Sequence, residues 1–178
     1  MPAPRTAPDA IALLKADHRT VSDLFKKFEK ARGASSKVKL AREICTDLIV
    51  HTIIEEEIFY PGVKDAVEED IETEAYVEHD GAKALIAEIL ASSPEDEFYD
   101  SKVHVLSEMI KHHVKEEEQP GGMFAQARKG DVDLKELGAA MSARKKELVA
   151  QFKRNGPPPP ETKVMKGGEL RHTLIAHI

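Results

Sequence analysis

Three features of this 178-residue chain predict an all-α fold of antiparallel helices. Hydrophobic residues make up 41% of it, yet aromatics only 5% with no Trp, a composition that suits helix seams of Leu, Ile and Ala better than a β-sandwich. Apolar residues recur in steps of three and four along four long runs. The connections between those runs are short, so neighbouring helices lie antiparallel in an up-down-up-down four-helix bundle. At about 150 residues per domain, the length allows one domain and a modest extra piece.

The first helix begins at Pro8 and Asp9, carries Ile11, Leu14, Val21, Phe25 and Phe28 on one face, and stops at Gly33. The second aligns Ala41, Ile44, Leu48 and Ile58, and the cluster Tyr60, Pro61, Gly62 kinks or ends it. The third covers roughly 68 to 92 with Ala75, Ala82, Ile86 and Ile89 inward. Ser93 and Pro94 read as N-cap and first-turn proline of the fourth, whose stripe is Tyr99, Val103, Leu106 and Ile110. It breaks near Pro120, Gly121 and Gly122. A fifth amphipathic stretch, about 132 to 153, places Leu134, Leu137, Met141, Leu148 and Phe152 on one face and docks on the bundle. Residues 1–154 are thus expected to form the bundle with its appended helix. Residues 155–178, opening with Pro157 to Pro160, form an extended tail rather than a packed element.

Lys and Arg number 26 against 32 Asp and Glu, a net charge of -6, which makes nucleic acid a poor partner. The lone Cys45 excludes a disulfide framework within the chain. No apolar run approaches the ~20 residues that span a bilayer, and the segment MPAPRTAPDA lacks the apolar region of a signal peptide. The expectation is a cytoplasmic protein without a membrane partner.

Function enters where polar residues interrupt the four stripes, because a polar side chain in a seam is buried and costs energy unless satisfied. The first helix reads Ile11, Leu14, His18, Val21, Phe25, and the third reads Ala75, His79, Ala82, Ile86. Each gives one inward histidine. The second reads Leu48, His51, Glu55, Ile58, and the fourth reads Ile110, His113, Glu117. Each gives a histidine and a carboxylate one turn apart. His18 to His79 spans 61 positions, while His51 to His113 and Glu55 to Glu117 both span 62, as a duplicated helical hairpin would. In the first hairpin His18 and His51 stand about 14 and 15 residues from the turn, which at ~1.5 Å per residue sets them abreast. In the second, the same levelling of His79 and His113 asks for a helix start later than Ser93, beyond Glu95 to Glu97.

Four imidazoles and two carboxylates inside an apolar bundle are a first-row transition-metal ligand set. Two six-coordinate ions offer about twelve positions; the six side chains, with both carboxylates bridging, fill eight, and a bridging oxygen fills two more. About one position per ion stays open. Iron fits these donors, as do manganese and zinc.

His18, then HTIIEEEIFYP from His51, then EHD around His79, then HHVKEEE with His113, resembles the hemerythrin-like, or HHE cation-binding, family over residues 10 to 127. The resemblance implies a four-helix bundle around a non-haem di-iron centre with an oxo or hydroxo bridge, binding dioxygen and in some members nitric oxide or peroxide. It implies His18, His51, His79 and His113 as iron ligands, with Glu55 and Glu117 bridging. Oxygen-carrying members have a second histidine one turn after the helix-three ligand, where this chain has Lys83, and another carboxylate replaces their aspartate. The reduced set favours redox turnover or sensing over simple oxygen carriage. Tyr76, one turn before His79, is the residue placed to fill the open position or to hydrogen-bond there.

Four of the eight histidines have Glu at the fourth following position, so the spacing alone sorts nothing. Register does: His104 with Glu108 and His112 with Glu116 lie one residue, about 100°, off the fourth stripe and belong to a solvated face. Glu56, Glu57, Glu116 and Glu118 read as solvent-facing charges; His172 and His177 lie in the tail without a partner set. The resulting expectation is a di-iron protein that binds oxygen, peroxide or nitric oxide for sensing, storage or detoxification, with no residue assigned a catalytic role and the electron donor unspecified. The alternatives are a catalase-like enzyme decomposing peroxide at the same site and a metal-free helical interaction module.

Overall fold

The computed structural model describes residues 8–166, which form seven α-helices and no strand. Helix α1 (Ala10–Lys30) is capped by Asp9, whose carboxylate accepts from Ala12 N at 2.7 Å, and Lys27 and Lys30 sit at its negative end. Gly33, at φ 91°, makes the left-handed turn into α2 (Ala34–Ile54). A π-helical turn, Glu55–Phe59, continues α2 into the short α3 (Tyr60–Val63) and a 3-10 turn, Lys64–Ala66. Then come α4 (Glu69–Ala91), α5 (Tyr99–Glu118), α6 (Met123–Lys129) and α7 (Leu134–Asn155).

Helices α1, α2, α4 and α5 close a ring, with α1 on α2, α2 on α4, α4 on α5 and α5 on α1. Their shared interior holds Ile11, Leu14, Ile44, Ile54, Ile86 and Leu106, all nearly inaccessible. Helix α7 lies across the outside of α1 and α2. It crosses the start of α1 so closely that a Cβ on Gly138 would stand 2.3 Å from the Pro8 carbonyl oxygen and 2.7 Å from Ala10 N. Only glycine fits there. No helix among the described residues is long and apolar enough to cross a membrane.

The expected bundle with an added C-terminal helix is therefore present, and three local expectations change. Ser93 and Pro94 do not cap a helix: Ser93 N donates to Asp96 Oδ2 at 2.9 Å inside a turn, and α5 starts at Tyr99, whose ring packs near Phe28. That later start levels the second hairpin, since His79 stands 12 positions before the end of α4 and His113 stands 14 positions after the start of α5. Second, the break after Glu118 contains α6, which returns Phe124 to the interior. Third, the described part of the tail, up to residue 166, is extended but not free. The Asp80 carboxylate, fully buried on α4, accepts from the backbone N–H groups of Lys163, Val164 and Met165 at 2.6–2.9 Å. Lys163 Nζ also lies 4.6 Å over the Tyr76 ring. His172 and His177 lie outside the described residues.

Candidate metal centre

The ring of helices brings His18 from α1, His51 and Glu55 from the α2 seam, His79 from α4, and His113 and Glu117 from α5 to one level, all buried. Glu55 Oε2 lies 3.1 Å from His51 Nε2 and 3.3 Å from His79 Nε2. Glu117 places Oε2 3.3 Å from His18 Nε2 and Oε1 3.6 Å from His113 Nε2. Each carboxylate thus spans two imidazoles from different helices. Two donor groups result: His18, His51, Glu55 and Glu117, and beside them Glu55, His79 and His113.

These separations are those of donors around a shared cation, because ligands about 2.0–2.1 Å from one ion stand about 3.0–3.4 Å apart. The hydrogen-bond accounting points the same way. His18 Nε2, both oxygens of Glu55 and Glu117 Oε2 are buried without a hydrogen-bond partner. At ~1–3 kcal/mol for each unsatisfied group, four such atoms cost on the order of a domain's whole stability, so the centre needs positive charge in its middle. Metal ions fit that requirement and this donor set.

The opposite edge of three imidazoles is hydrogen-bonded to a carboxylate, and that of His51 faces one at ion-pair distance. His18 Nδ1 meets Glu118 at 2.7 Å, His79 Nδ1 meets Glu56 at 2.9 Å, His113 Nδ1 meets Glu78 at 2.7 Å, and His51 Nδ1 lies 3.7 Å from Asp17. Such partners fix the tautomer and aim Nε2 inward. The arrangement obeys the same twofold repeat as the six central side chains. Asp17 and Glu78, each preceding a central histidine, serve His51 and His113 within their own hairpins; Glu56 and Glu118, each following a central glutamate, reach across to His79 and His18. Glu56 and Glu118 are therefore not idle surface charges. A signal was present in the sequence: these four acids recur at the offsets of 61 and 62 that relate the candidate ligands.

Lysines complete the frame. Lys15 pairs with Glu118 at 3.2 Å, Lys83 with Glu56 at 2.7 Å, and Lys145 of α7 with Asp17. Lys83 is buried and also reaches Asp80 at 3.3 Å, so it anchors a chain of polar contacts running from the tail to His79. The charges shift the titrations together. Burial alone would push the His51 imidazole down, but Glu55, Asp17 and Glu117 outweigh it and raise it to about 10. Burial would lift the Glu55 carboxyl, and the His51 and His79 imidazoles instead hold it well below its usual range. Asp17, Glu56, Glu78 and Glu118 are likewise lowered, burial being overcome by their histidine and lysine partners.

Tyr60, and not Tyr76, is the tyrosine that reaches the centre. Its hydroxyl stands 3.0 Å from His79 Nε2 and donates to Glu117 Oε1 at 3.3 Å. Burial, then Glu55 and Glu117, raise its pKa well above the ordinary phenol value, so it remains a donor. Tyr76, the expected candidate, is half-buried and packs edge-on against Tyr60 at 5.3 Å. The cause is the π-turn. Pro61 lacks an N–H and its ring crowds the carbonyl of residue 57, and the wide turn immediately before it adds a residue to the helical repeat. Ile58, expected inward, is left half-buried while Phe59 and Tyr60 turn fully inside. Phe124 from α6 closes the other side, parallel to the His18 ring at 5.8 Å.

Residues 9–120 match the family model described as the hemerythrin HHE cation binding domain. The chain belongs to this family. A crystal structure of a hemerythrin HHE cation-binding domain-containing protein from Mycobacterium kansasii superposes with a TM-score of 0.70 at 22% identity, over 84% of this chain and 95% of that one, which shows a shared fold. A curated relative, a DNA nickase of Nostoc sp., is 29% identical over 106 residues, 60% of this chain. The hemerythrin-like chain spans only 30% of that relative's length. As a member of the HHE family it is a metal-binding helical protein.

Proposed function

We propose that this hemerythrin-like protein holds two iron ions between His18, His51, His79, His113 and the spanning carboxylates Glu55 and Glu117, and binds dioxygen, peroxide or nitric oxide there. The observation that carries the reading is the pairing of two carboxylates with four imidazoles at 3.1–3.6 Å while His18 Nε2, both oxygens of Glu55 and Glu117 Oε2 are buried without a hydrogen-bond partner. When bound, a pair of redox-active ions supplies electron exchange with small oxygen- or nitrogen-centred ligands.

The chain's own residues define what else the site does. Glu118, Asp17, Glu56 and Glu78 hold the four imidazoles in orientation and supply negative charge behind them. The Tyr60 hydroxyl places one proton donor at the inner face of His79 and Glu117. A cavity of about 190 Å³, walled by Val21, Leu48, Ala82, Met109 and Ile110, reaches the four imidazoles. Its size and apolar walls suit a diatomic molecule or peroxide and disfavour a larger polar substrate.

The nicking activity of the Nostoc relative is not carried over: the matched part is under a third of that protein, and a net charge of -6 gives no basic footprint for DNA. Metal analysis with absorption spectroscopy tests the proposal. About two irons per chain with near-ultraviolet charge-transfer bands is the expected result, and a metal-free protein of unchanged heat stability would overturn it. A reversible stoichiometric adduct with oxygen or nitric oxide would assign binding; steady peroxide consumption without loss of the bands would assign a catalase-like reaction.

A further inference from the structure

The outer frame of the centre is regular except at one place. Lysines neutralise Glu118, Asp17 and Glu56, whereas among the described residues Glu78 pairs with no lysine or arginine. Its Oε2 is committed to His113 Nδ1 at 2.7 Å. Its Oε1 faces outward, 3.3 Å from Nε2 of His112, and that same nitrogen lies 3.6 Å from Glu116 Oε1. One imidazole and two carboxylates from two helices thus offer three donor atoms within 4.8 Å of one another. An imidazole is a poorer fixed counter-charge than an ammonium at neutral pH, and a far better ligand.

A second observation is independent of these distances. The cavity that reaches the four central imidazoles is also lined by Glu78 and His112. His112 is 60% exposed at its side chain while Glu78 is 20% exposed, so these two stand where the cavity meets solvent, with Glu116 one turn beyond His112.

We infer that Glu78, His112 and Glu116 form an outer site for a first-row divalent cation, through which the ion enters the inner centre. Three protein donors leave about three positions of a six-coordinate ion to water, so the cation is held there partly hydrated and more weakly than inside. Glu78 touches this ion with one oxygen and the inner ligand His113 with the other, which sets the two sites one carboxylate apart. Sequence register assigned His112 and Glu116 to a solvated face; they do face solvent, and Glu78 from the neighbouring helix turns that face into a donor set.

The entry role rests on the metal-binding reading above; the outer site does not. Full-length protein stripped of metal is titrated with Zn²⁺ by calorimetry, and its uptake of Fe²⁺ is followed in time. Wild type is expected to bind a third equivalent more weakly than the first two. His112→Ala and Glu116→Gln each remove that equivalent, keep the wild-type circular dichroism, and slow Fe²⁺ uptake at least fivefold without changing the final inner content. Saturation of wild type at two equivalents that both variants retain, or a third equivalent that survives in both variants, overturns the site. Loss of the third equivalent with unchanged uptake overturns the entry role. Saturation of wild type at two equivalents, one of them lost in both variants, would sink the dinuclear reading and leave the outer site standing.

Discussion

Lys83 donates to Glu56 at 2.7 Å, and through Glu56 it braces His79, whose Nδ1 lies 2.9 Å from the same carboxylate oxygen. The lysine occupies the position one turn after the helix-four histidine and is buried with its partner. Removing one member of a buried charge pair leaves the other uncompensated. Lys83→Met is therefore expected to destabilise the metal-free protein by about 3 kcal/mol in urea denaturation and to weaken metal binding about tenfold. Lys83→Arg should recover most of both, since the charge returns.

His79 and His104 separate a seam position from a solvated one. His79→Ala removes an imidazole facing Glu55, Glu56 and His113, and is expected to lower the iron content of purified protein to about one per chain or less. His104→Ala, on the exposed face of α5, should leave iron content and midpoint temperature unchanged. Equal losses would mean that the register assignment is wrong.

Tyr60→Phe deletes one hydroxyl and keeps the ring that packs against Phe59 and His79. Iron content should be retained, because four imidazoles and two carboxylates remain. Stopped-flow reaction of the reduced protein with peroxide should slow by about tenfold or more, since the donor beside His79 and Glu117 is gone.

Protons and metal compete for the same nitrogens, which fixes a pH dependence. In the metal-free protein His51 is raised to about 10, so its contribution is complete below the unfolded value of ~6.5 and is lost as pH climbs through 10. Glu55, Asp17 and Glu56 are lowered, so theirs is complete above ~4.5 and lost as pH falls through their folded values. Thermal scans of metal-free protein should give highest stability between roughly pH 4.5 and 6.5 and a falling midpoint toward pH 10. With metal bound the alkaline loss should vanish, because neutral imidazoles are what the ions require.

Much of the centre was legible because a helix repeats regularly. Three-four spacing put His18, His51, Glu55, His79, His113 and Glu117 on inward stripes, and the structure brings those six side chains together in the interior. The same regularity failed where the helix departs from it. The π-turn at Glu55–Phe59 shifted the residues that follow it in the same helical segment, which brought Tyr60 rather than Tyr76 to the centre and overstated Ile58. The turn at Ser93 resembled a cap because serine followed by proline fits either use; the levelling of His79 with His113 already asked for a start beyond Glu97, and α5 begins at the buried Tyr99.

What the amino-acid order determined by itself was the periodic part: an all-helical bundle, the duplicated hairpin, and the six polar interruptions of its seams, since each follows from the angle between successive residues on a helix. What only tertiary packing decided was the frame around them. Glu56 and Glu118 act on histidines of other helices, Lys83 and Lys145 pair with carboxylates of other helical segments, and Asp80 is held by a tail more than eighty residues away. Such contacts depend on which helices become neighbours and at what height, and no spacing along a single helix encodes that.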